Sequence, residues 1–177
     1  MDQDQLARFE ALVLPHLNAA SNLARYLLRN ASDADDVVQD ACFRALRHFD
    51  GFRGSDPASG RAWLLTIVRN TAFSWRRSRR GMGPGAETIA LEPDDAVSAT
   101  TADAAVLEDD ARSAVARALD ALPAEFREVI VLRELEGLSY KEMSDVIGVP
   151  VGTVMSRLSR ARDRLRVVLG PPELEAS

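Results

Sequence analysis

Thr153, Ser156, Arg157 and Arg160 are spaced so that a helix would bring two hydroxyls and two guanidinium groups to one side, with Met155 among them in the chain. Guanidinium groups pair bidentately with phosphate or with a guanine edge, and short hydroxyl side chains let a helix approach a groove closely. The chemistry on offer is nucleic-acid recognition. Five arginines fall between Arg157 and Arg166 with Asp163 as the one acid among them, which weighs against the plainer reading of a solvated helix that closes a bundle.

Two further groups stand out. Between Arg61 and Arg80 there are six arginines and no acid. At helical spacing Arg69, Asn70, Phe73, Arg76, Arg77 and Arg80 fall broadly opposite Trp63, Leu64, Ile67, Val68, Thr71 and Trp75. Cations that follow a phosphate backbone, beside an amide and an aromatic ring that can meet unstacked bases, suit single strands or a duplex being opened; the alternative is a solvated helix ending in a basic run. Upstream, Asp36, Gln39, Asp40 and Phe43 share a face, and a phenylalanine among carboxylates reads either as a partner surface or as a peripheral core residue on a solvated face.

Helices must position all of these. Met143, Val146 and Ile147 form a short apolar face, Gly148 can take a left-handed turn and Pro150 suits a helix start, which makes a helix-turn-helix. The second helix turns Val154, Leu158, Ala161, Leu165 and Val168 inward. At the other end of the chain a helix is expected over residues 3–29, kinked or broken at Pro15, with Phe9, Leu12 and Leu23 in the core. The next opens at Ser32, capped by its hydroxyl with Asp35 three residues on, and buries Val37, Val38, Ala41, Cys42, Ala45, Leu46 and Phe49. A loop over residues 52–60 leads to the arginine-rich helix. Further on, Val115, Ala118, Leu119 and Leu122 face inward, Pro123 opens a helix, and Phe126, Val129, Ile130 and Leu132 are core. No strand-like alternation or internal repeat is present. The fold class expected is all-α: two small helical domains joined by a flexible acidic linker, the C-terminal one containing the helix-turn-helix. The bounds are 1–80, a linker over 81–109, 110–170, and a tail over 171–177.

A chain of 177 residues that is 46% hydrophobic can bury a core in each of two small domains. Its net charge of −5 argues against nucleic acid only as an average, because the stretch from Glu87 to Asp110 holds eight acids and no base. The single Cys42 excludes an internal disulfide and reads as a packed thiol, and with two separated histidines there is no metal-ligand spacing, so no cofactor or metal is expected. Asp33, Asp35, Asp36 and Asp40 could be taken for a metal-binding carboxylate set of a nuclease. They coincide with a helix start, where the dipole accounts for them, and no His or Lys stands by as base or clamp, so an enzyme is not expected. Nothing approaches membrane-spanning length and the first residues lack a secretory pattern, which points to a soluble cytoplasmic protein.

DADDVVQDACFRAL at Asp33–Leu46, FDGFRG at Phe49–Gly54, RAWLLTIVRNTAFSWRRSRR at Arg61–Arg80 and LDALPAEFREVIVLRELEGLSYKEMSDVIGVPVGTVMSRLSRARDRLR at Leu119–Arg166 together resemble the sigma-70 family of bacterial transcription initiation factors, in its two-domain extracytoplasmic-function group. The resemblance covers nearly the whole chain. It implies a non-enzymatic specificity factor that binds core RNA polymerase through the β′ clamp helices and β flap, reads promoter DNA at −10 and −35 elements and helps melt the former. It also implies control by an anti-sigma factor. By position, Asp36, Gln39, Asp40 and Phe43 become the polymerase-docking face. Arg69, Asn70, Phe73, Arg76, Arg77 and Arg80 become the −10 face, and Thr153, Met155, Ser156, Arg157 and Arg160 the −35 face, with Arg162 and Arg164 on phosphates or in solvent. Met155 departs from the family, standing where some members carry arginine. The loop from Arg53 to Trp63, longer than in some relatives, resembles one that captures a flipped base. The readings set beside this one are a polymerase-independent helix-turn-helix regulator and a sigma-like decoy for an anti-sigma factor.

Overall fold

Three helix starts in the first half, those at Asp2, Asn30 and Asp56, are fixed by side chains that accept from first-turn amides. Asp2 accepts from the Gln5 amide at 2.7 Å while the Gln5 side chain accepts from the Asp2 amide at 3.2 Å, a reciprocal cap that opens α1 (Gln3–Leu12). Pro15 has no amide hydrogen to continue that helix. The chain tightens into a 3-10 turn at Leu14–His16 and resumes as α2 (Leu17–Leu28), so of the kink or break expected at Pro15 it is the break that occurs. Arg29 then takes a left-handed φ of 57° and redirects the backbone. That bend puts Asn30, not Ser32, in the extended cap position: its side chain accepts from the Asp33 amide at 2.9 Å and opens α3 (Ala31–His48). Asp56 caps α4 (Pro57–Arg79), so the preceding loop ends there rather than at Gly60.

The computed structural model describes residues 2–81 and 108–170, and of 108–112 the backbone alone. The expected linker lies outside the described residues except at its two ends, and the expected tail lies outside them altogether. The second half continues with α5 (Glu108–Asp120), α6 (Ala124–Ile130), a wider turn over Val131–Leu135, α7 (Tyr140–Ile147) and α8 (Val151–Leu169). All described elements are helices or turns, as the apolar periodicity requires.

In the first half α2, α3 and α4 pack on one another, and alanines at 20, 24, 34, 41, 45 and 72 let the axes approach around Leu23, Leu27, Val37, Leu64, Leu65 and Val68. Phe9, Phe49, Phe52 and Trp63 close one end as an aromatic cluster with centroids 4.8–6.0 Å apart. In the second half α6 and α7 pack against α8. Several inward positions lie further out than periodicity implies. Val38, Cys42, Trp63, Ile67 and Trp75 are half-buried, and Leu46, Val115 and Val168 are exposed. Of these, Val38, Trp63, Ile67 and Trp75 still pack against the core.

The halves also meet. α4 lies against α7 and α2 against α6, and the two cores are continuous. Close approach elsewhere relies on Gly60, in the first turn of α4, where an added Cβ would overlap the carbonyl oxygen of Leu12. Gly60→Ala is expected to destabilise the chain by about 1–3 kcal/mol through that overlap. Gly51→Ala, with nothing within 4 Å of the added carbon, is expected to change stability little; denaturant midpoints of the two variants check the contrast.

Candidate nucleic-acid interface

The helix-turn-helix is locked from both ends of α7. Ser139 and Glu142 cap it reciprocally, the Ser139 amide donating to Glu142 at 2.7 Å and the Glu142 amide donating to the Ser139 hydroxyl at 3.1 Å. Gly148, at a φ of 77°, ends the helix in the left-handed region, and the Ser144 hydroxyl donates to the Val149 carbonyl at 2.5 Å. Met143, Val146, Ile147, Val154, Leu158 and Ala161 are buried, which fixes the rotation of α8 and leaves Met155, Ser156 and Arg160 exposed and Thr153 half-exposed. Arg157 stands apart from that set. Its side chain is mostly covered and lies 4.0 Å from the Glu125 carboxylate. Arg162 is not left for phosphates: it donates to Glu134 through Nε at 3.1 Å and a terminal nitrogen at 2.5 Å. Arg164 lies over the Phe126 ring at 4.5 Å.

On α4, Phe73 carries Arg69 on its face at 4.7 Å and Arg76 at 5.9 Å, so the ring and the two cations form one stripe. Asn70, Arg77 and Arg80 are exposed beside it. Arg69, however, is turned toward the second half, where it donates to the carboxylate of Glu128. That contact engages a −10 candidate across the seam. On α3 Asp36, Gln39 and Phe43 are exposed and Asp40 is half-buried, holding Arg44 at 3.0 Å. Phe43 is 65% exposed and Leu46 38%, so the apolar part of this face extends one turn beyond the sequence reading.

Two residues that sequence reasoning missed lie at the centre of the seam. Arg127 and Glu128 are fully buried. Arg127 donates to the carbonyls of Leu119 at 2.9 Å and Leu122 at 2.7 Å within the second half, and to that of Tyr26 in α2 at 2.7 Å. Burial pushes the Glu128 carboxyl above its ordinary range, and the Arg69 guanidinium pulls the other way. A signal was present in FREVIVL: the charged pair is flanked by Phe126 and by Val129 to Leu132, which leaves a short helix no polar face. Around the centre, Arg61 donates to the Glu136 carbonyl at 3.2 Å and to Glu142 at 3.1 Å, and Asn22 donates to the Glu136 side chain at 2.9 Å.

The Cys42 thiol is pushed up by burial, which disfavours the reactive thiolate. No helix among the described residues is long and apolar enough to cross a membrane.

Residues 12–81 match the family described as Sigma-70 region 2 and residues 112–165 that described as Sigma-70, region 4. The ECF RNA polymerase sigma-E factor of Escherichia coli (strain K12) is 35% identical over 169 residues, covering 92% of this chain and 86% of the relative. The chain belongs to the sigma-70 family, in its extracytoplasmic-function (ECF) group. The RNA polymerase sigma-H factor of Pseudomonas aeruginosa is 33% identical over 95% of this chain and 89% of its own length. Among solved structures, the sigma factor RpoE in complex with the anti-sigma factor NepR from Bartonella quintana aligns at a TM-score of 0.67 and 31% identity, over 95% of this chain and 98% of that one. CnrH in complex with the cytosolic domain of CnrY aligns at 0.62 and 30%, over 95% and 97%. The family matches fall on the two halves that carry the basic helices. Members of this family are initiation factors, so the chain is not an enzyme.

Glu142 both caps α7 and receives Arg61 across the seam. Burial opposes its ionisation, but the Ser139 amide and Arg61 outweigh that and hold its carboxyl below the usual range. A carboxylate depressed in the folded state adds stability above its unfolded pKa and loses it as pH falls through the folded value. Glu142→Gln is therefore expected to cost about 1 kcal/mol near neutral pH. The gap to the parent chain should close as pH falls through and below the ordinary carboxylate range, as thermal unfolding measured across pH would show.

Proposed function

We infer that this chain serves as the promoter-directing subunit of a bacterial RNA polymerase holoenzyme in the cytoplasm, its three exposed faces dividing the task. Asp36, Gln39, Asp40 and Phe43 dock on the β′ clamp helices, where a ring set among carboxylates supplies apolar area and charge selectivity together. The second half engages the β flap. Asn70, Phe73, Arg76, Arg77, Arg80 and, once released, Arg69 take the −10 element. There cations hold the phosphates while the ring and amide meet bases as the duplex opens. Thr153, Met155, Ser156, Arg157 and Arg160 take the −35 element from the major groove. Polymerase carries out the bond making. The observation that carries this reading is the rotation of α8: its buried stripe leaves Ser156, Arg160 and Met155 outward on a helix whose preceding turn is closed by Gly148.

Two of the aligned relatives were solved with an anti-sigma factor or a cytosolic partner domain. An anti-sigma partner of the same kind would keep this chain from polymerase. With a net charge of −5, the free chain is held off duplex DNA. Promoter affinity then appears chiefly in the holoenzyme, where both reading helices act as one linked ligand.

Run-off transcription with bacterial core polymerase on a pool of promoter fragments tests this reading. New start sites sharing two spaced upstream elements are expected from the parent chain. Asp40→Arg should weaken core binding about tenfold or more with unchanged thermal stability. Arg160→Ala should leave core binding intact while lowering promoter output about tenfold, the size of one lost base or phosphate contact. Core binding without transcripts would instead indicate a decoy, and promoter binding without core binding a free-standing regulator.

A further inference from the structure

The seam takes a DNA-facing residue out of service. Arg69 shares the Phe73 face with Arg76, yet its guanidinium is spent on Glu128. Glu128 is fully buried, and its direct ion pair and most of its charge compensation come from Arg69 in the other half, with Arg157 of its own half adding less, so the ion pair exists only while the halves are together. Other links across the seam are also polar: Arg127 to the Tyr26 carbonyl, Arg61 to Glu142 and the Glu136 carbonyl, and Asn22 to Glu136. They stand beside apolar contact, since the two cores are continuous, and they are the part of the seam that exchanges readily for water when two domains part. The closed arrangement is complete here within a single chain. It nonetheless aligns across both halves with sigma factors solved in complex with an anti-sigma factor or a partner's cytosolic domain.

We propose that Glu128 and Arg69 form an interdomain latch: the free chain closes on itself, Glu128 competes with promoter DNA for Arg69, and the halves must part before both reading helices can be used. The proposal rests on the sigma reading for its consequence, although not for the closure itself. A buried carboxylate that loses its cation is strongly unfavourable, so the pair makes closure depend on Arg69 in particular. While the latch holds, the open form is a minority, and anything that binds only the open form is weakened by that fraction.

The test uses the full-length free chain and four variants, with small-angle X-ray scattering for closure and core-polymerase binding for its consequence. Glu128→Arg sets two cations against each other at the centre of the seam. Arg61→Gln loosens the seam from its edge, leaving the buried position untouched. The double variant Arg69→Glu with Glu128→Arg restores an opposite pair, and Arg69→Glu alone completes the cycle.

The parent chain should scatter with the radius of gyration of the closed form. Glu128→Arg and Arg61→Gln should both expand it and tighten core binding severalfold to about tenfold, the former more, as a larger open fraction requires. The double variant should return to the compact radius and the weaker core binding. An expanded parent chain would overturn the latch, and so would variants that keep the parent's radius and core affinity. If Glu128→Arg fails to fold, Arg61→Gln decides on the same two readouts. Failure of the parent chain to bind core would count against the sigma reading alone, because scattering reports closure without polymerase.

Discussion

A charged pair buried inside a seven-residue helix is the constraint around which the two halves are arranged. Arg127 and Glu128 are adjacent, so they leave α6 on different sides, and each must find compensation in whatever packs there. Arg127 solves this with backbone: it donates to the carbonyls of Leu119 and Leu122 at the end of α5 and in the turn after it, of which Leu119 also accepts from the Leu122 amide at 3.1 Å. One guanidinium with a planar fork serves several acceptors in fixed directions, which a lysine could not. A further bond, to the Tyr26 carbonyl in α2, carries the same internal scaffold across to the first half. Arg127 thus belongs mainly to the fold of its own domain and only secondarily to the seam.

Glu128 is different in kind. Burial penalises its ionised form; the largest offset comes from Arg69 of the other half, and Arg157 of its own half adds a smaller one. Replacing such a pair by apolar residues is often neutral or stabilising in other proteins, so the pair is poorly explained as a source of stability. It is better explained as a contact that can be given up. The halves already share apolar area where their cores are continuous; the carboxylate adds a link through one guanidinium that a phosphate can also bind.

Much of the architecture was legible from apolar periodicity and punctuation. Pro15, Gly148 and Pro123 each mark an end or a beginning, and Met143, Val146, Ile147, Val154, Leu158 and Ala161 were all recognisable as buried. Local signals erred where a neighbour's backbone decided the outcome. Ser32 was the better-looking cap until the left-handed Arg29 placed Asn30 in the extended position. Leu46, Val115 and Val168 fit their stripes by angle, but burial requires a neighbouring element over that angle, and among the described residues all three stay exposed. Among the recognition residues, Ser156 and Arg160 stand outward as spacing implies. Arg69, Arg157 and Arg162 do not stand free, because each meets a glutamate far away in sequence, Glu128, Glu125 or Glu134. Arginine periodicity describes one helix and carries no information about those acids.

The distribution of these acids gives the two halves unequal freedom. Glu125 and Glu134 pair with arginines of α8 from within the same domain, so their contacts persist whether or not the halves touch, and they set how α8 is presented. Glu128 pairs outward, so its contact reports whether the halves are together. Because binding free energies are reciprocal, any partner that grips the closed seam makes Arg69 less available to DNA. Promoter DNA that takes Arg69 weakens that partner by the same factor. Under the proposed latch, a single guanidinium shared between a glutamate and a phosphate would suffice to make inhibitor binding and promoter binding mutually antagonistic without any overlap of their surfaces.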